Sequence, residues 1–506
     1  MMTVENLTYG QTLSQLLQGL LPLSNQDDVK VTGITSDSRK VNTGDLFIAY
    51  KNSAVMDYVE SAIDSGASAV VAEVDQLPDI LKYNVPVISL PQLSAQAGLI
   101  AARFFGHPTH DMNVIGITGT NGKTTVSYLI AQASSLIGLG KSGLIGTLGY
   151  GPFDQISKGP NTTPEPVTLQ NIFANMYQDG VDLVAMEVSS HGLDQYRITG
   201  VEFDIAVFTN LSRDHLDYHQ TMESYAESKR RLFSDYLIRK AVFNLDDEYG
   251  HKLADEFQNK MQLVGYTLAS GRQYDFPVVS ANVVSNKPAG LTLDVSSPWG
   301  KGSLQSDLIG DFNASNLLAS LSALCMAGVS FSDALSNLSK CSSVPGRMEY
   351  FRQEGMPLVI VDYAHSPEAL RQAFRALQSQ TSGKLICVFG CGGQRDKGKR
   401  AEMGQIAETY ADHIFLTNDN PRDEDAETII EDIIGGIKDQ SRVTKELDRR
   451  KAIRLAIHSA SEDDVLLIAG KGHEDYQEIA GVRYPLSDRS IVKQALGESE
   501  SGNVDD

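Results

Sequence analysis

Residues 114–125 read VIGITGTNGKTT, and VSYLIAQASSLIG follows at 126–138. An apolar run passes into a glycine-rich loop closed by Lys123, Thr124 and Thr125, and a helix-like segment begins there. Each part has a reason to bind phosphate. Glycines at 119 and 122 let the backbone curl until several N–H groups face one anion. The helix adds the positive end of its dipole. Lys123 supplies a mobile charge for outer phosphates, and a hydroxyl at Thr124 or Thr125 is suited to Mg²⁺. Ile117 stands where a longer loop would carry its first glycine, so this is the compressed form G-x-x-G-K-T-T.

Around this loop, the chain reads as alternating strands and helices. Apolar runs DLVAMEV (182–188), FDIAVFTNL (203–211) and KAVFNLDD (240–247) are separated by helix-like stretches, a pattern of βαβ units and a parallel sheet. GLTLDVSS at 290–297 alternates instead, which predicts an antiparallel excursion over 272–306. Upstream, VKVTGITSDSRKV, GDLFIAY, SGASAVVAEV and VPVISL suggest a smaller α/β unit that ends at a linker, FFGHPTHDMN (104–113). A second linker, CSSVPGRMEY (341–350), opens a third unit. There, LVIVDYAHSP, LICVFGCGGQRD, IFLTNDNPRDED and LLIAGKGHED each run from an apolar strand into a polar loop. In an open parallel sheet, those loops gather at the carboxyl edge, where ligands bind. Ser366 and Pro367 read as the N-cap and first residue of a helix. The expected domains are therefore 1–108, 109–343 and 344–506, all α/β.

Composition narrows the partners. The 506 residues carry 43 Lys and Arg against 64 Asp and Glu, a net charge of −21. Such a field disfavours nucleic acid and anionic lipid, so a nucleotide must be held by local donors. Cysteines 325, 341, 387 and 391 have no disulfide or zinc spacing, and Cys391 reads as a small filler. The N-terminus lacks a basic leader and no stretch reaches the ~20 apolar residues of a membrane span. A cytoplasmic protein that does not engage the membrane and acts as a monomer is expected. The acidic tail GESESGNVDD (497–506) reads as disordered.

Other constellations are weaker alone. Glu187 closes a strand in EVSSHGLDQYR and is placed to hold a metal. In FTNLSRDHLDYHQTMESYAESKRRLF (208–233), His215 reads equally well as a ligand or a structural hydrogen-bonder, and Lys229 reads by spacing as a solvated helix lysine. NTTPEP (161–166) is a hydroxyl- and amide-rich loop suited to a polar sugar or phosphate group. Asn313 and Asn316 stand one helical turn apart and face one partner.

Together these motifs carry a resemblance. GTNGKTT, NTTP, MEVSSHGLDQ, FTNLSRDHLDYH, AESK, FNASN, PGRME, VDYAHSP, GCGGQRDKGKR, DNPR and AGKGHEDYQ occur in the order found in the Mur ligases, over roughly residues 114–490. TSDSRKVNTGDLFIA (35–49) extends the likeness more loosely, although KNSAVMDYVESAI (51–63) stands where the family usually has an Asp-Gly-His-type segment.

The resemblance implies a three-domain α/β architecture with a central P-loop ATPase domain, an N-terminal uridine-binding domain and a C-terminal Rossmann-like domain. It implies ATP and Mg²⁺ as cofactors. The implied chemistry transfers a phosphoryl group from ATP to a substrate carboxylate, and an amine then displaces phosphate from the acyl phosphate. Gly119, Thr120, Asn121, Gly122, Lys123, Thr124 and Thr125 would hold the phosphates. Asn313, Asn316, Arg347, Asp362 and His365 match residues near the nucleotide. Thr124, Glu187 and His215 match metal ligands, and Lys229 falls where the family carries a carbamylated lysine. Ser38, Thr162, Thr163, Ser189, Gln195 and Arg197 match positions that bind the nucleotide-sugar peptide, UDP-N-acetylmuramoyl-L-alanyl-D-glutamate.

DNPR addresses the amine substrate. meso-2,6-Diaminopimelate carries a second amino-acid head whose carboxylate calls for a guanidinium fork. Arg395 and Asp419, Asn420 and Arg422 match the diaminopimelate-type positions, and Gly470 and Glu474 match positions that receive the distal ammonium. Lysine-adding relatives lack the DNPR arginine, and NTTP with SSHGLDQ argues against a folylpolyglutamate synthetase. A phosphate-loop switch or motor is the more distant alternative, separable because a ligase releases phosphate only with both an amine and a UDP-sugar peptide.

Overall fold

The computed structural model describes residues 10–497, apart from 52–53, 75–82, 139, 160, 270, 288–289 and 379–381. The first nine residues and the acidic tail beyond Gly497 lie outside that set, as do two residues of the 51–63 segment. The described residues fall into two compact units: those within 10–118, 137–207 and 228–241 form one, and those within 119–136, 208–227 and 242–497 the other.

In the first unit, strands Gly33–Thr35, Asp45–Ala49, Ala69–Ala72 and Val87–Ser89 form a parallel four-stranded sheet in chain order. Both faces are covered, which explains the unbroken apolar runs. Leu46 and Ile48 pack with Ile100 and Phe104 on one face, and Phe47 and Ala49 pack with Val59 and Ala62 on the other. The same unit holds part of a larger sheet, in the spatial order 205–207, Asn113–Thr118, Val181–Glu187, Lys141–Gly146 and Gly149–Pro152. Val181–Glu187 pairs in parallel with both neighbours, with Glu187 opposite Ile117. Helix Pro166–Gln178 starts where NTTPEP ends, because Glu165 accepts the N–H groups of Val167 and Thr168 and Pro166 fills the first position.

In the second unit, residues 242–244 are followed by Gln262–Thr267, Val278–Lys287, Gly290–Ser297 and Gly300–Ser306 in spatial sequence. The last three are antiparallel, as the alternation in GLTLDVSS predicted. A six-stranded sheet follows. Its strands Leu358–Asp362, Val465–Ala469, Leu385–Phe389 and His413–Leu416 are mutually parallel neighbours. Ile360, Phe389 and Leu467 face helices bearing Leu370, Met403 and Ile430. Val361, Val388 and Ile468 face those bearing Ile453 and Ile491. The four polar loops therefore leave one edge of one sheet. Helix Pro367–Gln378 begins at Pro367, with Ser366 Oγ accepting the Ala369 N–H at 3.4 Å.

All four cysteines are buried and unpaired. Burial pushes the thiols of Cys325, Cys341 and Cys391 up to about 12, and Cys387 is raised as well. Among the described residues, no helix is long and apolar enough to cross a membrane.

Candidate active site

The phosphate loop belongs to the second unit and is held by the FTNLSRDH segment. Asn121 N–H donates to Asn210 Oδ1 at 2.9 Å, while the Thr209 hydroxyl and Asn210 amide both donate to the Asn121 carbonyl, at 2.6 and 3.1 Å. The Thr120 hydroxyl accepts from Ser212 N–H and Tyr225 O–H, so this side chain frames the loop. Lys123 opens helix Lys123–Ile137, and its Nζ folds back onto the carbonyls of Gly119 and Thr120 at 2.9 and 2.8 Å. Gly122 has φ +86, and a Cβ there would stand 2.6 Å from Asn316 Oδ1. The two asparagines are buried together, with Asn316 Nδ2 donating to Asn313 Oδ1 at 3.0 Å. Asn316 meets the loop at Gly122, and Asn313 stands behind it, bonded to Asn316 and to the Ile309 carbonyl.

Arg347 reaches the same loop. Its Nη2 donates to Thr124 Oγ1 at 3.4 Å, and its guanidinium lies 4.3 Å over the Tyr363 ring. Arg347 Nε is buried without a hydrogen-bond partner among the described residues. A half-buried cation with one buried, unsatisfied donor beside a glycine cradle fits an anionic ligand such as a nucleotide phosphate. Asp362 accepts from Met348 and Ala364 N–H groups, at 2.7 and 2.8 Å. Burial raises its carboxyl pKa, opposed by Arg347 and these bonds. His365 is held by its Nδ1 contact to the Tyr363 carbonyl, and burial with the nearby Lys399 pushes its pKa down. His215 adopts a left-handed conformation, φ +54, with Nε2 3.6 Å from Asp214 Oδ2. Burial alone would raise Asp214, but His215, His365 and Lys399 pull it below its ordinary value.

In the first unit, Glu187 is 1% exposed, so it is no surface carboxylate. Thr147 binds it twice, N–H to Oε1 at 2.7 Å and Oγ1 to Oε2 at 3.2 Å. The Thr147 and Thr162 hydroxyls lie 3.1 Å apart. Thr163 donates to Ser189 Oγ at 3.0 Å, and Arg197 reaches both the Thr163 carbonyl and Gln195 Oε1. NTTP and SSHGLDQYR thus form one polar surface. Lys229 is also 1% exposed, which corrects its reading as a solvated helix lysine: the helix turns it inward. Ser38 lines a cavity of about 480 Å³ with Ser36, Phe47, Tyr50, Val55 and Tyr58. Tyr50 donates to Glu165 Oε2 at 3.2 Å. Among the described residues, no group of three or more His, Cys, Asp or Glu side chains is gathered to hold a metal. The ligand set that the resemblance implies contains only two such side chains, Glu187 and His215; its other members are the Thr124 hydroxyl and Lys229.

The remaining positions meet at the loops of the six-stranded sheet. Arg422, at φ +53, donates from Nη1 to the Gly393 carbonyl at 2.8 Å, and its Nε lies 3.7 Å from Glu478 Oε2. A Cβ on Gly392 would stand 3.1 Å from Arg422 Nη1 and 3.7 Å from Arg395 Cγ, so the two arginines flank one glycine. Gly470, at φ +112, packs against Asp419, whose Oδ2 would be 2.7 Å from a Cβ there. Glu474 Oε2 already accepts from Lys471 Nζ at 2.7 Å and from Asn420 Nδ2 at 2.9 Å. Lys471, fully buried, also donates to Asn420 Oδ1 at 3.0 Å.

Known families match along the chain in the same order. The Mur ligase family catalytic domain matches residues 30–105, the Mur ligase middle domain 117–324, and the Mur ligase glutamate ligase domain 346–472. This chain belongs to the Mur ligase family. Among its curated relatives are UDP-N-acetylmuramoyl-L-alanyl-D-glutamate–2,6-diaminopimelate ligases. That of Coxiella burnetii is 46% identical over 96% of this chain and 100% of its own length. That of Pseudomonas aeruginosa is 44% identical over 96% and 98%. A solved structure of a ligase of that name shares 36% identity at a TM-score of 0.70, covering 96% of this Mur ligase and 99% of the other chain. The MurF ligase of Thermotoga maritima, in complex with ADP, shares the fold at a TM-score of 0.66 and 18% identity, covering 92% of this chain and 97% of its own.

Several residues of this Mur ligase site escaped sequence reasoning. Thr147 has no local signature. Lys471 had one, a cation inside an apolar, glycine-rich strand end, where burial requires partners.

Proposed function

We propose that this chain is an ATP-dependent ligase that joins meso-2,6-diaminopimelate to UDP-N-acetylmuramoyl-L-alanyl-D-glutamate in peptidoglycan precursor synthesis. The observation that carries the reading is that Arg422 Nη1 and Arg395 Cγ both stand beside Gly392, which puts two arginines on one loop cluster, a pair suited to a second carboxylate that L-lysine lacks. Near-full-length kinship to ligases of that name supports it.

Bound ATP supplies the phosphoryl group, and Mg²⁺ neutralises charge on its phosphates. The loop residues Gly119 to Thr125, with Lys123, hold the β- and γ-phosphates, and Arg347 adds a second cation beside Thr124. Asn313 and Asn316 support the loop, and Asp362 and His365 serve the nucleotide. Thr124, Glu187 and His215 would hold the metal, and Lys229, as a carbamate, would supply a further anion to it. Ser38, Thr162, Thr163, Ser189, Gln195 and Arg197 bind the UDP-dipeptide. Asp419, Asn420, Gly470 and Glu474 receive the amino-acid head opposite the arginines. A carboxylate oxygen of the dipeptide takes the phosphoryl group with departure of ADP. The amine then attacks the acyl carbon, inorganic phosphate leaves, and the amine loses a proton.

Supporting features suggest a cytoplasmic monomer with domains at 1–108, 109–343 and 344–506. The test is phosphate release from ATP and the UDP-dipeptide across an amino-acid panel. Release that needs both the dipeptide and meso-diaminopimelate is expected, and release without either would overturn the reading.

A further inference from the structure

Arg400, on helix Gly398–Tyr410, has a fully buried side chain. Its Nη1 donates to Asp432 Oδ2 at 2.9 Å, and its Nη2 to Glu424 Oε2 at 3.0 Å and the Gly392 carbonyl at 3.3 Å. Its Nε, also buried, has no hydrogen-bond partner among the described residues. Burying a guanidinium with an unmet N–H is a poor source of stability, and an apolar side chain of that volume would serve a core as well. The arrangement makes sense as a bridge. Gly392 lies on the loop that carries Arg395, and Glu424 lies two residues past Arg422.

Glu424 completes the bridge. Its Oε1 accepts the Gln394 N–H, and Lys397 Nζ stands 3.6 Å from Oε2. The same two loops touch through Gly393 N–H to the Asn420 carbonyl at 2.9 Å, and through Gln394 Nε2 to Asp423 Oδ2 at 2.9 Å. The Gln394–Glu424, Gln394–Asp423 and Gly393–Asn420 bonds tie the loop of one arginine to the loop of the other directly, and Arg400 joins them from behind through Gly392 and Glu424. A carboxylate read by two arginines needs their spacing fixed, and only a support behind both loops supplies that.

We propose that Arg400 and Glu424 form a clamp that holds the Arg395 loop against the Arg422 loop, making them positioning residues that select an amine bearing a second amino-acid head over L-lysine. This inference rests on the ligase reading above. The clamp touches no substrate; it acts through Arg395 and Arg422.

The test uses the full chain with ATP and the UDP-dipeptide, comparing wild type with Glu424→Gln, Arg400→Lys and Arg400→Met. Each variant is expected to raise the KM for meso-diaminopimelate by about 10- to 100-fold. The KM values for ATP and the UDP-dipeptide should stay within about twofold. The kcat/KM preference for meso-diaminopimelate over L-lysine should shrink by a similar factor. A residue that merely supported the fold would raise all three KM values together in the folded variants, and that pattern overturns the proposal. So does an unchanged diaminopimelate KM in folded Glu424→Gln, which alone decides the matter if the Arg400 variants do not fold. A wild type that uses meso-diaminopimelate while the variants match it overturns the clamp alone. A wild type that ignores meso-diaminopimelate overturns the ligase reading and the clamp with it.

Discussion

Asn316 Oδ1 stands 2.6 Å from where a Cβ on Gly122 would be, so the loop and the helix Asp311–Met326 leave no room for a methyl group. Gly122 also has φ +86, which L side chains rarely adopt. Gly122→Ala is expected to lower stability by about 1–3 kcal/mol and to weaken ATP binding more than UDP-dipeptide binding. Denaturant melts and ATP titrations check this. Wild-type values in both would mean that the loop relaxes freely and that its shape is not set by Asn316.

Lys123→Ala removes the loop's side-chain cation without touching the core. ATP turnover should fall by at least about 100-fold with the melting temperature unchanged. A variant that keeps near-normal turnover would remove the phosphate-binding role from this loop.

Lys229→Ala should be nearly inactive, with partial recovery on adding short carboxylates if a carbamate is the working group. Carbamylation turns a cation into an anion, here at a position that is 1% exposed. A crystal at neutral pH showing an unmodified Lys229 amine beside bound metal would refute the modification.

Arg422→Ala should impair use of meso-diaminopimelate by about 2–5 kcal/mol, or about 30-fold to several thousand-fold. The loss should fall on the amine KM if binding alone is affected, and on kcat as well if the arginine aligns the attacking amine. Steady-state kinetics with each substrate varied in turn separates the two. Efficient L-lysine incorporation by the wild type would overturn the substrate while leaving the ligase standing.

The sheets were legible because parallel strands covered on both faces must be continuously apolar, as LICVF at 385–389 and LVIVD at 358–362 are. The phosphate loop was legible because its constraints are local. Lys229 was not: a lysine in AESKRRLF looks solvated, and only tertiary packing turns it inward. Thr147 and Arg400 escaped for a related reason. Each serves a residue distant in sequence, Glu187 in one case and Glu424 in the other, and spacing along the chain carries no trace of such pairings.

The four buried thiols make the native chain nearly silent toward alkylating reagents. Burial raises the thiol pKa of Cys325, Cys341 and Cys391 to about 12, so each stays protonated at pH 8, and none is freely reached by solvent. Their labelling therefore counts openings. Cys387 and Cys391 lie on and just beyond a central strand of the six-stranded sheet, whereas Cys325 lies on the helix Asp311–Met326. Mass-resolved alkylation would clock the loosening of these regions separately within one molecule, with no probe added to the chain.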